Sequence, residues 1–178
     1  RVIVERAKQA LDALAARGIL DRALVVLSAD HGEEFGEHGG SFHGTSVYDE
    51  QVRVPLVVRA PGASARRVEA PVSLLDLTPT TVDLLGLAGA PPMDGRSLAD
   101  AIYGGALAPR PVLTRSSRSG YRYAVVDGPW KLMVDFTRRA VALYHLGDDP
   151  AERVNRVEEH PAELARLACL LEAAGVRP

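Results

Sequence analysis

The sequence predicts an α/β fold, with helices and parallel strands first and a small antiparallel sheet closed by a C-terminal helix afterwards. Three observations carry this. "RVIVERAKQALDALAARGIL" has a helical period and runs directly into the apolar stretch "ALVVLSA". After Gly105 the chain turns to short strand-like segments separated by turn residues. Residues 158–175, "EEHPAELARLACLLEAAG", return to a helical period. The chain has 178 residues, 47% hydrophobic and 25% charged, which suits one domain of moderate size. A net charge of −2 leaves no footprint of nucleic-acid binding. No apolar run reaches membrane-spanning length and no secretory signal opens the chain. The first residues read as the interior of a domain, so further sequence is expected upstream.

In the first helix Val4, Ala7, Leu11 and Leu14 form the apolar stripe, and Gly18 is the expected C-cap. Residues 23–29 are rich in β-branched side chains, as a strand buried on both faces would be. Helix, tight loop and buried strand make half of an α/β repeat and imply a parallel sheet. Residues 45–52 suggest a short helix capped by Thr45, and 54–62 a second buried strand ending at Pro61-Gly62. Residues 76–87 read as a helix with Thr78 as N-cap, Pro79 at the first helical position and Gly86 near its end. A further short helix is expected to begin near Ser97. "RPVLTRSS", "YRYAVVD", "WKLMVDF" and "VALYHL" are strands, and Asp127-Gly128-Pro129 marks a hairpin. The switch near residue 106 divides a 1–105 part from a 106–178 subdomain. Pro161 and Gly175 bracket the closing helix, and Cys169 within it reads as a buried thiol. A lone cysteine excludes an internal disulfide and any Cys-rich zinc site.

The chemistry concentrates in "SADHGEEFGEHGGSFHG", residues 28–44, which holds three of the five histidines and four carboxylates. Asp30 and His31 follow the end of an apolar strand, where open α/β sheets bind ligands. A carboxylate beside an imidazole suits a divalent cation such as manganese or zinc, and calcium tolerates such a pair. Gly32 lets the backbone turn behind them. His43 is a second candidate cation. The same Asp-His pair would also serve as a cap with a surface histidine. A zinc site of His31, His38 and His43 is conceivable, although the spacings match no zinc pattern.

"VVLSADHGEEFGEHG", "YDEQVRVPLVVRAPG", "LLDLTPTTVDLLGL" with "DGRSL", and "VVDGPWKLM" with "LYHLGDDPAERVN" occur in that order. Together they resemble the sulfatase family of the alkaline-phosphatase superfamily over essentially the whole chain. The resemblance implies a partial parallel-sheet sandwich of the sulfatase/alkaline-phosphatase type, followed by the antiparallel subdomain. It implies that Asp30 and His31 are the late pair of metal ligands, with calcium the first choice of cofactor and manganese or zinc as alternatives. His43 matches the residue that contacts sulfate or phosphate oxygens and serves catalysis by protonating the leaving group. His38, Tyr48, Glu50 and Arg53 match supporting positions, with Arg53 and Glu50 read as an internal ion pair.

The family's nucleophile is a formylglycine made within Cys/Ser-x-Pro-x-Arg, and phosphatase relatives use Ser or Thr. Cys169, Ser97 and Ser116 lie outside any such motif, so no nucleophile is found in this chain. The early acidic metal ligands are absent as well. The chain therefore resembles the C-terminal part of a metal-dependent hydrolase of sulfate esters. The alternatives are a phosphate or phosphonate ester hydrolase on the same scaffold, or a non-catalytic binding or assembly module. The expected partners are the ester substrate, the N-terminal half of the same protein and, for the isolated chain, further copies of itself. The isolated chain is expected to be inactive.

Overall fold

The computed structural model describes residues 2–116, 118 and 121–177. In chain order the elements are α1 (Val2–Ala16), β1 (Val25–Ser28), α2 (Asp49–Val52), β2 (Leu56–Arg59), α3 (Leu77–Leu84), α4 (Ala99–Ile102), β3 (Val112–Arg115), β4 (Arg122–Asp127), β5 (Trp130–Asp135), β6 (Ala140–His145) and α5 (Pro161–Ala173). They form two compact units. The first comprises Arg1–Ser28, Pro55–Val68 and Leu74–Leu107, and the second Ala29–Val54, Glu69–Ser73 and Ala108–Pro178. The loop with the clustered histidines thus belongs with the C-terminal sheet, a grouping that a simple break near residue 106 does not express.

In the first unit α1 ends at Ala16, and Gly18 follows with φ +64°, a backbone conformation that suits glycine. β1 and β2 pair antiparallel, with Val25 opposite Arg59 and Ser28 opposite Leu56. The expected parallel pairing is therefore not made by these two strands. The chain leaves β1 at Ser28 and re-enters β2 at the same end, with no crossover of the kind that parallel strands need. Ser28 Oγ closes that end by donating to the Pro55 carbonyl at 2.9 Å. Nor are the strands buried on both faces: Leu27 is 48% and Val57 57% exposed. A two-stranded ribbon cannot cover its own faces.

α3 starts at Leu77 with Asp76, not Thr78, in the capping position. The Asp76 carboxylate is fully buried and accepts the Arg96 N–H at 2.9 Å. Thr80 Oγ1 donates to the Asp76 carbonyl and accepts the Leu98 N–H at 2.9 Å, which ties α3 to the entry of α4. Ser97 Oγ takes the Ala99 N–H there.

In the second unit the strands form a four-stranded antiparallel sheet in the order β3-β4-β5-β6. The β4–β5 hairpin closes at Asp127 opposite Trp130, through Gly128 at φ +59°. α5 packs Leu167 and Leu171 onto Val125, Leu132 and Leu143, all buried. Cys169 is exposed, contrary to its reading as a buried thiol. It lies two residues from both Leu167 and Leu171, and residues two apart on a helix do not share a face. α2 begins at Asp49 rather than near Thr45. The Thr45 and Ser46 N–H groups instead donate to Gln51 Oε1, each at 3.1 Å.

Candidate functional site

The loop between β1 and α2 is organised from within. Glu34 and Phe42 exchange backbone hydrogen bonds of 3.0 and 3.1 Å, which fold residues 34–42 back on themselves. Glu34, only 3% exposed, points its carboxylate inward. It accepts the Gly40 N–H at 2.7 Å, the His38 N–H at 3.2 Å and Gln51 Nε2 at 2.6 Å. Gly40 has no room for a Cβ beside that carboxylate. The Gln51 carbonyl accepts the Gly32 N–H at 2.8 Å. A Cβ on Gly32 would strike the Glu50 carbonyl. Gly32 is therefore fixed by close approach of backbone to backbone, a constraint additional to the turn read from sequence.

Asp30 Oδ1 accepts the His31 N–H at 3.1 Å, and Oδ2 lies 3.6 Å from His31 Nε2. The Asp30 side chain is 90% exposed. His31 Nδ1 lies 2.8 Å from the Gly32 carbonyl, which only accepts, so Nδ1 carries the proton and neutral His31 keeps its lone pair at Nε2. His43 Nδ1 lies 3.2 and 3.3 Å from the two Glu33 oxygens, which fixes its tautomer in the same way. The two rings stack, with centroids 3.9 Å apart and planes at 23°. Asp30, His31 and His43 are thus brought together on one side of the loop.

His38 does not join them. Its Nδ1 is 2.6 Å from Glu50 Oε1, its Nε2 is 3.2 Å from the Glu152 carbonyl, and its ring stacks on Tyr48 at 3.6 Å. With both nitrogens engaged it cannot complete a zinc site with His31 and His43. Among the described residues no three acidic, His or Cys side chains converge on a metal position. The Glu50–Arg53 ion pair is also absent: Glu50 goes to His38, and Arg53 lies 3.7 Å from Asp49. One helical turn separates Asp49 from Arg53, so that contact needs no further folding.

Sequence reasoning missed Glu33, Glu34, Gln51, Lys131 and Glu152. Lys131 is fully buried on β5, with Nζ 2.7 Å from both Asp49 Oδ1 and Glu152 Oε1. Glu152 Oε2 also accepts the Asp49 N–H at 2.6 Å. The available signal was a lysine inside the apolar run "WKLMV", where a cation needs a buried partner. Arg122 anchors the same unit, donating to the Thr45 carbonyl and to Asp135, whose carboxyl it holds below the usual range against the opposing effect of burial.

Residues 7–87 match the family model described as Sulfatase. The chain is 30% identical to the choline-sulfatase of Rhizobium meliloti (strain 1021), covering 86% of this chain and 31% of the relative. It is 31% identical to arylsulfatase K of Mus musculus, covering 84% of this chain and 29% of the relative. The chain belongs to the sulfatase family. This sulfatase-family chain spans about a third of the length of those curated relatives. Its fold is also that of solved structures. A phosphonate monoester hydrolase from Silicibacter pomeroyi is 27% identical, with a TM-score of 0.78 over 93% of this chain and 37% of that one.

Proposed function

We propose that this sulfatase-family chain supplies two late metal ligands, Asp30 and His31, and an oxygen-contacting cation, His43, to a hydrolase of sulfate esters. The observation that carries this is the stacking of His31 on His43 with each Nδ1 tied to an acceptor. Both Nε2 atoms are thereby left for chemistry outside the loop. The donor set fits a divalent cation: an open carboxylate oxygen and a ring nitrogen 3.6 Å apart suit a single shared ion, calcium in this reading. Two ligands do not close a metal shell, so the remainder would come from residues beyond this chain, as would the nucleophile. When bound, the cation stabilises charge developing on the ester's oxygens. Glu33 orients the His43 ring through Nδ1–H, and in the doubly protonated ring the Nε2–H would contact an oxygen or pass its proton to the leaving group, leaving the neutral Nδ1–H tautomer.

A second reading, phosphonate monoester hydrolysis, is favoured by the likeness to the Silicibacter pomeroyi hydrolase. The test compares turnover of an aryl sulfate, an aryl phosphate and a phosphonate monoester by the full-length protein. Higher kcat/KM for the sulfate is expected, and His43→Ala should lower kcat more than it raises KM. Preference for the phosphonate ester would replace the sulfate reading with the second one. Turnover by the isolated 178-residue chain would show that the nucleophile lies within it.

A further inference from the structure

We propose that His38 is a positioning residue: an imidazolium, held between the Glu50 carboxylate and the Glu152 backbone carbonyl, that fixes the loop carrying Asp30, His31 and His43. The link to the reaction rests on the reading of that loop given above, while the charge state rests on geometry alone.

A neutral imidazole has one N–H and one lone pair, so it satisfies one donor and one acceptor. Here both ring nitrogens face acceptors, Glu50 Oε1 at 2.6 Å and the Glu152 carbonyl at 3.2 Å. Only the doubly protonated ring satisfies both. Its side chain is 14% exposed, so water is a poor substitute for either partner. The groups facing it agree in sign. Glu50 comes from α2, Glu152 from the segment after β6 and Glu37 from its own loop, where Glu34 accepts the His38 backbone N–H. Tyr48 stacks on the ring and reaches Tyr144 on β6 through its hydroxyl at 3.4 Å. Lys131 sits behind Glu152 with Asp49 as its second partner. Burial opposes the charged ring, but the Glu50 hydrogen bond, the Glu152 carbonyl and the two carboxylate charges outweigh it and raise the pKa above the ordinary value.

The route from His38 to the site is short. Glu50 is followed by Gln51, whose carbonyl holds the Gly32 N–H next to His31. The Gln51 amide oxygen holds Thr45 and Ser46, just after His43. Its Nε2 donates to Glu34, which also holds the His38 N–H. The Glu152 carbonyl is itself fixed, because its carboxylate is pinned by Lys131 and the Asp49 N–H. Loss of the His38 proton removes one hydrogen bond and one charge from the joint where these contacts meet. Because the folded pKa is raised, this contribution is complete below the unfolded value of about 6.5 and is lost as pH rises through the folded value.

The test uses the full-length protein with 15N-labelled imidazoles, the His38 resonances being those lost in His38→Gln. At pH 7 both His38 nitrogens should be protonated, and Glu50→Gln should move the midpoint to lower pH. Amide exchange at Gly32, Thr45 and Ser46 should speed up at least tenfold in Glu50→Gln at pH 7. In the unsubstituted protein the protection of these amides, relative to the intrinsic base-catalysed exchange rate, should fall as pH passes the His38 midpoint. A His38 that is neutral at pH 7, or a midpoint unmoved by Glu50→Gln, overturns the charge assignment. A charged His38 whose loss leaves exchange unchanged overturns the positioning role. Turnover of an aryl sulfate, followed in parallel, should fall in kcat with little change in KM. Absence of turnover in the unsubstituted protein would sink the functional reading, and the imidazole and exchange measurements would still decide this one.

Discussion

Gly32 sits where a methyl group has no room, because the Glu50 carbonyl fills the space a Cβ would take. The residue is next to His31 and donates its N–H to the Gln51 carbonyl, so any shift there moves the proposed ligands Asp30 and His31 as well. Gly32→Ala should therefore cost about 1–3 kcal/mol, the usual range for overpacking. Urea denaturation of the full-length protein would measure it, and a loss within about 0.5 kcal/mol, typical of a neutral surface change, would contradict the account. At this scale the sequence singles out Asp30, His31 and His43 by residue type and order, and the structure places the three side by side, while their roles stand as proposed. Glu34 was not, since an acidic residue in a glycine-rich loop reads as solvated. Its burial follows only from the Phe42 pairing that turns its carboxylate toward three donors.

The four-stranded sheet carries more than the packing of α5. β5 presents Lys131, with no exposure, to Asp49 of α2 and to Glu152, and so joins the site loop to the sheet in one ion cluster. Burial pushes the Glu152 carboxyl up, while Lys131 and the Asp49 N–H pull it back down. Removing the cation leaves buried carboxylates without compensation. Lys131→Met should destabilise the protein by about 3–5 kcal/mol, and combining it with Glu152→Gln should recover part of that loss. Equal losses in the single and double variants, measured by denaturant melts, would show that the cluster is not coupled. The hairpins were legible because Asp127-Gly128-Pro129 and the alternation on either side are local signals. The β1–β2 direction was not, because an apolar run looks alike in parallel and antiparallel pairs. The excursion through residues 29–54, which no local pattern describes, sets it. Cys169 was misread for a similar reason: a helix that is apolar nearly all round does not announce which residues meet the sheet.

Taken whole, the chain is a sulfatase-family segment in two units, covering about a third of its curated relatives. β1 and β2 keep exposed apolar side chains, among them Val26, Leu27 and Val57. The likeness to known sulfatases follows from several short motifs in a fixed order. The grouping of residues 29–54 with the C-terminal sheet needed three dimensions, since its ties run over more than eighty residues, from Asp49 to Lys131 and Glu152. The most direct test of the account is aryl-sulfate turnover by the full-length protein, stripped of metal by a chelator and then titrated with calcium. Activity should vanish on stripping and return with calcium, and Asp30→Ala should need far more calcium while losing orders of magnitude in kcat. Full activity without metal, or an Asp30→Ala variant with an unchanged calcium requirement, would contradict the assignment of Asp30 and His31 as metal ligands.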